Sequence, residues 1–198
     1  MAVLLFNRWD FSGVEVEDPG LKVYINLKPV VLPKTSGKYG TASIHKPKMN
    51  IIERLINKMF VPGHRGKKHK LTSGHVVGNY QKVAKSIKEA FEIIEKKTNS
   101  NPIQVLVTAI ENGALYEEIM GYRLGGTIAR KAVVVSPQRR LDLSLRFISQ
   151  NIFSKTFKNR KTLGQVIANE LIEIANNDQR NNVIRERHRI EREAEGAR

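Results

Sequence analysis

The residues of this sequence that could do chemistry are lysines and arginines, and they are concentrated in two stretches. Residues 34–75 contain ten of them and a single acid, Glu53, while residues 119–161 contain ten and a single acid, Asp142. The whole chain of 198 residues has a formal net charge of +15, so these two stretches hold more than the entire excess. Charge concentrated in this way predicts binding to the phosphate backbone of a nucleic acid, whereas a charge that only confers solubility would be spread over the chain.

The basic residues fall into three local settings. Residues 34–48 place four lysines among Gly, Ser, Thr and Pro without periodicity, which predicts an arm. Residues 64–70 form a basic loop, and the third group lies on a predicted hairpin and at the start of the helix that follows it. The aromatic residues fall mostly on predicted core faces and not between the basic ones. We therefore expect recognition through shape and phosphates, which favours structured RNA.

Other chemistries lack the residues that they need. The chain has no cysteine, which excludes disulfides and thiolate metal sites and suits a reducing, cytoplasmic location. His64, His69 and His75 are spaced five and six apart, which one helix face cannot offer to a metal, so we expect no metal and no other cofactor. No G-x-S-x-G motif occurs, and the adjacent Glu117 and Glu118 point to opposite faces of an extended segment. The sequence therefore does not indicate an enzyme.

The apolar periodicity predicts a mainly α fold, a helical bundle of about six helices. One projecting β-hairpin, at about 117–135, is expected between the third and fourth main helices, because two strand-like runs flank a Gly-Gly turn there. We expect residues 1–48 to form an N-terminal extension with an extended basic arm, and residues 49–198 to form the helical RNA-binding domain. The main helices are predicted to start at about residues 49, 74, 101, 137, 162 and 182.

Short capping motifs support two of these helix starts. Asn101 followed by Pro102 predicts a capped start, with Gln104 placed to complete a capping box. Thr162 and Gln165 repeat the capping-box pattern before the next apolar stripe.

Five further side chains have specific expected positions or roles. Trp9 and Phe11 are expected to anchor the N-terminal segment to the core rather than to stack on bases. In the helix that starts near residue 49, the apolar side chains share one face, and Glu53 and Arg54 lie on the opposite, polar face. We expect Glu53 and Asp142 to act as local ion-pair partners of nearby cations.

Five blocks of the sequence, taken together, are similar to one known family. The blocks are Asn50–Leu55, Ile87–Ile94, Asn101–Asn112, Arg123 with Gly125-Gly126, and Val135–Arg140. In this order and spacing they resemble the small-subunit ribosomal protein of universal number seven, which is called number five in eukaryotes. Residues 24–31 resemble the archaeal and eukaryotic members, since bacterial members lack this stretch, and the short start favours an archaeal-type member.

The resemblance implies a structural constituent of the small ribosomal subunit. Such a protein binds the 3′ major domain of small-subunit rRNA and helps to nucleate the head, as a monomer beside other head proteins. The C-terminal helix would face the platform protein of number eleven. The hairpin tip near the mRNA exit channel and the E-site tRNA would be Leu124, Gly125, Gly126 and Thr127. The RNA-binding residues would be Lys34, Lys38, Lys46 and Lys48 of the arm, Arg65, Lys67, Lys68 and Lys70 of the loop, Arg123, Arg130 and Lys131 of the hairpin, and Arg139, Arg140 and Arg146 after it.

A few positions depart from the usual pattern of the family. Leu115-Tyr116 stand where many relatives have Pro-Arg, Arg130-Lys131 stand where a Pro-apolar pair is common, and Val134 replaces a usual acidic residue. These departures leave the predicted fold unchanged and concern the contacts of the hairpin.

Three other classes of protein share a strongly basic composition. A DNA-binding repressor needs a recognition helix with exposed polar readers, which the sequence does not show. An RNA-processing enzyme needs carboxylates or histidines clustered inside the basic surface. A membrane-surface protein needs apolar residues facing its basic runs, and no apolar run approaches the roughly 18 residues of a membrane-spanning helix. We therefore expect an RNA-binding protein with no membrane partner.

Overall fold

Six helices of at least eight residues, one single-turn helix and two antiparallel hairpins form the described part of the chain. The computed structural model describes residues 3–65, 68–69 and 78–198. The elements in chain order are α1 (Pro19–Lys22), a 3₁₀ turn (Lys46–Lys48), α2 (Ile51–Lys58), β1 (His64–Arg65), β2 (Lys68–His69), α3 (Tyr80–Thr98), α4 (Pro102–Asn112), β3 (Glu117–Leu124), β4 (Thr127–Val134), α5 (Pro137–Thr156), α6 (Leu163–Ala175) and α7 (Asn182–Glu195). The predicted mainly α fold is confirmed, and the β3–β4 hairpin lies between the third and fourth of the six longer helices, as predicted.

The main core forms where α3, α4 and α5 pack around α6. Ile167 and Leu171 of α6 are fully buried, and so are Ile87 and Phe91 of α3. Burying side chains of this size stabilises the fold by roughly 1.5–3 kcal/mol each. Helix α6 therefore provides the apolar centre against which the other helices pack. Among the described helices, none has the length and apolarity needed to cross a membrane.

The N-terminal segment is anchored on α3 by Trp9, as predicted. The Trp9 ring meets the Phe91 ring edge-on at a centroid distance of 5.5 Å, and Trp9 Nε1 donates a hydrogen bond to Glu95 at 3.3 Å. Phe11 is buried beside it in the same core. The segment is therefore fixed to the body before the chain reaches the arm.

Two of the predicted helix caps form, and one predicted cap contact does not. Thr162 and Gln165 form the predicted capping box, and Asn101 caps α4 as predicted. Gln104 does not complete a second box, so that prediction is wrong. Its Oε1 accepts a hydrogen bond from the Glu15 amide at 2.9 Å, and its Nε2 donates to the Glu15 carbonyl at 3.1 Å. The Gln104 side chain therefore binds the backbone of the N-terminal segment instead of the N-cap residue.

Helix α3 begins at Tyr80, later than the predicted start near residue 74. The Asn79 side chain accepts a hydrogen bond from the amide of Gln81 at 2.9 Å, which makes Asn79 the N-cap. The prediction extended the apolar period back to Val76 and Val77, which lie outside the described residues.

The first part of the polar face of α2 is buried, whereas Asn57 is exposed and Lys58 is half-buried. Glu53 is 5% exposed and Arg54 is 4% exposed. The Thr35 amide and hydroxyl both donate to Glu53 Oε1, at 2.8 and 2.7 Å, while Arg54 Nη2 lies 3.1 Å from Asp142 Oδ1. Asp142 is therefore an ion-pair partner, as predicted, whereas Glu53 binds Thr35 and has no ion pair with a described residue. Helical periodicity identifies the apolar face, but it does not tell whether another segment covers the polar one.

The arm, residues 34–48, is present, but its backbone follows a series of tight turns instead of an extended path. The Lys38 amide donates to the Thr35 carbonyl at 3.0 Å, and the Gly40 amide donates to the Gly37 carbonyl at 2.8 Å. The 3₁₀ turn then leads into α2. These local hydrogen bonds satisfy backbone groups that no helix or sheet takes up, so they give the arm a folded path.

The long hairpin has the predicted tip. Strand β3 pairs antiparallel with β4, from Glu117 opposite Val134 to Leu124 opposite Thr127. Gly125 turns the chain with a φ of +60°, a conformation that side-chain-bearing residues rarely adopt. The register leaves two residues, Gly125 and Gly126, between the strands. Both strands are largely exposed, so the hairpin projects from the helices.

Helix α7 holds the base of this hairpin. The Tyr116 amide donates a hydrogen bond to Glu191 at 3.1 Å, and Arg198 pairs with Glu117 at 2.5 Å. The C-terminal segment, through α7 and through Arg198 after it, therefore contacts the first residues of the hairpin.

Candidate nucleic-acid interface

The arm carries four exposed lysines, which are Lys34, Lys38, Lys46 and Lys48. The body holds this arm at both ends. At its start, the Tyr80 hydroxyl donates to the Pro33 carbonyl at 3.0 Å, and Lys34 Nζ lies 5.2 Å from the centre of the Tyr80 ring. At its end, Lys46 Nζ lies 2.6 Å from Asp142 Oδ2 of α5. The arm lysines therefore have defined positions relative to α2, α3 and α5.

Asp142 is the centre of a group that we call the Asp142 cluster, formed by Lys46, Arg54, Lys58, Asp142 and Arg146. Burial alone would raise the pKa of the Asp142 carboxyl. The hydrogen bonds and charges of Lys46 and Arg54 outweigh burial, so the pKa lies below its ordinary value. One carboxylate thus faces four cations, and the cluster keeps an excess of positive charge.

Burial and the neighbouring charges act together on Lys58. Burial lowers the pKa of Lys58, Asp142 raises it, and the three neighbouring cations lower it, with a net shift below the ordinary value. A bound anion would relieve the repulsion among these cations. The cluster therefore has a net positive charge, which favours an anion over a cation as a ligand.

The positive surface continues along α5. Arg139, Asp142 and Arg146 are three and four residues apart, so they lie on one face of the helix. The Arg139 side chain is 55% exposed and binds Glu118 of β3 in a two-point contact of 2.5 and 2.9 Å. Arg146 is exposed. This face therefore joins the arm, through Asp142, to the base of the hairpin.

Arg140, which sequence reasoning grouped with Arg139, lies in the interior instead. It is 7% exposed, and its Nε donates to the Leu115 carbonyl at 2.9 Å. Its Nη2 pairs with Asp18 at 2.5 Å, and its guanidinium lies 4.3 Å from the centre of the Tyr116 ring. These contacts use the guanidinium inside the protein, so we leave Arg140 out of the interface.

The hairpin presents Arg123, Arg130 and Lys131, all exposed. Arg130 lies opposite Gly121, so Arg123 and Arg130 share one face of the hairpin. Lys131 lies opposite Met120 and is on the other face. The two faces can therefore meet phosphates on different sides of the hairpin.

The tip itself has a different character. Leu124 is 66% exposed, and no residue from 124 to 127 is charged. The Thr127 hydroxyl donates to the Leu124 carbonyl at 3.0 Å, which closes the turn. The tip offers apolar surface and backbone groups rather than phosphate ligands.

The basic loop is described only in part. Arg65 and Lys68 lie opposite each other in the short β1–β2 pair. Lys67 and Lys70, predicted as RNA ligands, lie outside the described residues.

Sequence reasoning missed some exposed or partly exposed cations. Lys58 belongs to the Asp142 cluster, although the polar face of α2 was not predicted to bind RNA. The loop between α5 and α6 also exposes three cations, Lys158, Arg160 and Lys161. These three residues belong to the second basic stretch, so the charge count of that stretch had already indicated them as candidates.

The described residues offer no alternative metal chemistry. Within them, no three His, Asp or Glu side chains come together as potential metal ligands. The exposed basic groups that the structure brings together lie around one carboxylate and along one helix face.

Comparison with known proteins agrees with this combination of a helical body, a projecting hairpin and a basic surface. The sequence model of the family described as ribosomal protein S7p/S5e matches residues 21–198. The chain belongs to this family. Members of the S7p/S5e family are structural proteins of the small ribosomal subunit and act in translation, and RNA binding is typical of them.

Similar archaeal proteins extend the match to the whole chain. The small ribosomal subunit protein uS7 of Nanoarchaeum equitans is 43% identical over 198 residues and is covered completely, as is this chain. The uS7 protein of Cenarchaeum symbiosum is 41% identical over 99% of this chain and 97% of its own length. That of Methanococcus aeolicus is 40% identical over 100% of both chains. The chain is therefore an archaeal-type member of the S7p/S5e family, as the sequence blocks predicted.

Proposed function

We propose that this chain binds the 3′ major domain of small-subunit rRNA and helps to nucleate the head of the subunit. It does so as a cytoplasmic monomer within the ribosome, beside other head proteins, and without catalytic activity or a cofactor. The observation that carries the proposal is the Asp142 cluster, in which the arm, α2 and α5 bring four cations to one carboxylate. Because structured RNA presents phosphates at many positions, cations held at fixed spacing can bind several of them together.

The proposed interface consists of exposed or partly exposed cations of the arm, α2, the β3–β4 hairpin and α5. The described members are Lys34, Lys38, Lys46, Lys48, Lys58, Arg123, Arg130, Lys131, Arg139 and Arg146. Arg65, Lys67, Lys68 and Lys70 of the basic loop belong to the same proposal on the family resemblance.

We also propose distinct partners for the hairpin and for α7. The uncharged tip, residues 124–127, lies near the mRNA exit channel and the E-site tRNA, where backbone and apolar contacts suffice. Helix α7 faces the platform and contacts the protein of number eleven. This assignment rests on the family resemblance.

A domain-selective binding assay tests the main proposal. We expect the full chain to bind a transcript of the 3′ major domain at least about 100-fold more tightly than a 5′-domain transcript of equal length. This threshold is set below the ratio of specific to non-specific affinity that is usual for nucleic-acid-binding proteins, about 10³–10⁷. Equal affinity for the two transcripts would contradict the proposal and leave only non-specific phosphate binding.

Replacing Arg146 tests a single phosphate contact. We expect Arg146→Ala to weaken binding to the 3′ major-domain transcript and to lower the slope of log affinity against log salt by about 1, because one phosphate contact is lost. Arg189→Ala is the matched control, since Arg189 of α7 pairs with Glu186 and Glu193 outside the proposed interface. Filter binding at several salt concentrations measures both slopes, and equal slopes for the two variants would remove Arg146 from the interface.

Shortening the hairpin separates rRNA binding from its other proposed contacts. When residues 124–127 are replaced by a two-residue Asn-Gly turn, we expect affinity for the rRNA transcript to stay within about twofold, because the tip holds no phosphate ligand. Reconstituted subunits with this variant should bind E-site tRNA more weakly in a filter assay. A large loss of rRNA affinity would show instead that the tip is part of the rRNA interface.

A further inference from the structure

A pocket of about 370 Å³ lies between the arm, α2 and the start of α3. Its lining includes Lys34 and Tyr39 of the arm, Glu53 of α2, Phe60 after that helix, and Tyr80 of α3. The volume falls within the range of small-molecule sites, about 300–1,000 Å³. The pocket therefore has room for a planar ring of the size of a nucleobase.

The wall of this pocket contains an unpaired acceptor. Glu53 is 5% exposed, and its Oε1 accepts both hydrogen bonds from Thr35. Its Oε2 is buried and has no hydrogen-bond partner among the described residues. A buried carboxylate oxygen without a donor is unfavourable, so a ligand that brings an N–H group to Oε2 would gain free energy there.

The aromatic side chains of the pocket define the shape of such a ligand. Lys34 already lies over the Tyr80 ring. Tyr39 and Phe60 make no ring or cation contact with another described residue, and both are partly exposed. A flat, N–H-bearing ring can therefore stack on Tyr39 or Phe60 while it donates to Glu53.

Two lysines lie at the edge of the pocket. Lys34 lies at its wall, and Lys38 follows within the same turns of the arm. Lysines in these positions attract the phosphates on either side of a nucleotide. Stacking, a hydrogen bond to a base edge and neighbouring phosphates together are the features by which proteins bind an unstacked RNA base.

We propose that this pocket, which we call the Glu53 pocket, binds one unstacked nucleobase that carries an exocyclic amino group: adenine, guanine or cytosine. The inference rests on the proposed RNA-binding function and adds a base-specific contact to it. Uracil fits poorly, because it has no amino group and its N–H is flanked by two carbonyl oxygens that would face the carboxylate. The pocket gives the arm a contact that reads the base as well as the backbone.

Glu53→Gln tests the pocket, because the pocket proposal and simple phosphate attraction predict opposite changes in RNA affinity. The amide keeps an oxygen for Thr35 but turns Oε2 into a donor, which cannot accept from the base. We expect affinity for the 3′ major-domain transcript to fall about tenfold at every salt concentration, with an unchanged salt slope, as for loss of one base-edge contact. Phosphate attraction alone predicts the opposite, since removing a negative charge from a basic surface would strengthen binding or leave it unchanged.

Two further variants make the test decisive. Glu92→Gln changes the net charge equally at a site where Glu92 contacts Arg8, outside the interface, and we expect it to bind like the wild type. Tyr39→Leu keeps an apolar side chain but removes the stacking ring, and we expect a loss of about tenfold. It decides the question if Glu53→Gln does not fold, as judged by circular dichroism.

Chemical probing of the bound transcript identifies the base. Dimethyl sulfate reports on adenine and cytosine and kethoxal on guanine, so one such base should be protected by the wild type and become reactive with Glu53→Gln. If the wild type binds with a steep salt dependence but Glu53→Gln binds equally or more tightly with the same protections, the pocket proposal is wrong. If the wild type itself fails to bind the transcript, the proposed function fails first.

Discussion

We expect the logarithm of the affinity of the chain for the 3′ major-domain transcript to fall by about 9 for each tenfold increase in monovalent salt concentration. This value uses the slope known for duplex nucleic acid. The reason is that about ten exposed cations of the proposed interface each neutralise a phosphate and release condensed counterions. Between 50 and 200 mM salt, such a slope corresponds to a loss of roughly 10⁵-fold. Filter binding or fluorescence anisotropy across this range measures it.

Two variants with equal changes in charge locate the source of this slope. Replacing the four arm lysines, Lys34, Lys38, Lys46 and Lys48, by alanine should lower the slope by about 3 to 4. The matched control replaces four exposed lysines of α3 by alanine, namely Lys85, Lys88, Lys96 and Lys97, and should leave the slope nearly unchanged. Equal reductions for the two variants would mean that net charge, and not the arm, determines binding.

Removing Arg140 is expected to destabilise the fold rather than the RNA complex. Arg140→Met should lower the free energy of unfolding by about 3 kcal/mol, the range typical of leaving one partner of a buried ion pair alone. The variant leaves the Asp18 carboxylate and the Leu115 carbonyl without the guanidinium that binds them at 2.5 and 2.9 Å. The effect also reaches α1, because Asp18 is its N-cap. Urea unfolding followed by circular dichroism gives the value.

The neighbouring arginine provides the comparison for Arg140. Arg139→Met removes a pair with Glu118 that is 55% exposed on the arginine side, so it should cost less than about 1 kcal/mol. Arg139→Met should instead lower the salt slope of RNA binding by about 1. The account would be contradicted if Arg140→Met were as stable as the wild type and lowered the salt slope of RNA binding. Arg140 would then be an RNA ligand, and its buried contacts would not stabilise the fold.

Local sequence signals predicted much of the fold. The capping box of Thr162 and Gln165 and the Gly-Gly turn at Gly125 both depend on residues within a few positions of each other, and both form as expected. Trp9 was also placed correctly, because a large aromatic ring in an otherwise short apolar segment gains most from burial.

Contacts between distant parts of the chain could not be predicted in this way. Gln104 meets Glu15 at a separation of 89 residues, and Arg140 meets Asp18 at a separation of 122. In both cases the side chain binds the distant partner and does not take the role that local spacing suggests, which is a capping box for Gln104 and RNA binding for Arg140. A single sequence gives no measure of which distant backbone or carboxyl group will compete.

The candidate interface shows the same division. Charge counting identified both basic stretches, and the exposed positions of the arm and hairpin agree with it. It could not show that Lys46 of the first stretch meets Asp142 of the second, 96 residues later. That contact joins the two stretches around one carboxylate, and it depends on how α2 and α5 pack.

Directed cleavage of rRNA in reconstituted small subunits tests most directly whether this joined surface faces the 3′ major domain. The chain contains no cysteine, so a single cysteine can carry an iron-EDTA probe at a chosen position. From Ser43→Cys in the arm, we expect hydroxyl-radical cleavage within the 3′ major domain, and much weaker cleavage from Asn176→Cys, at the exposed end of α6. Cleavage from Ser43→Cys that is absent, or that falls mainly in other rRNA domains, would contradict the account.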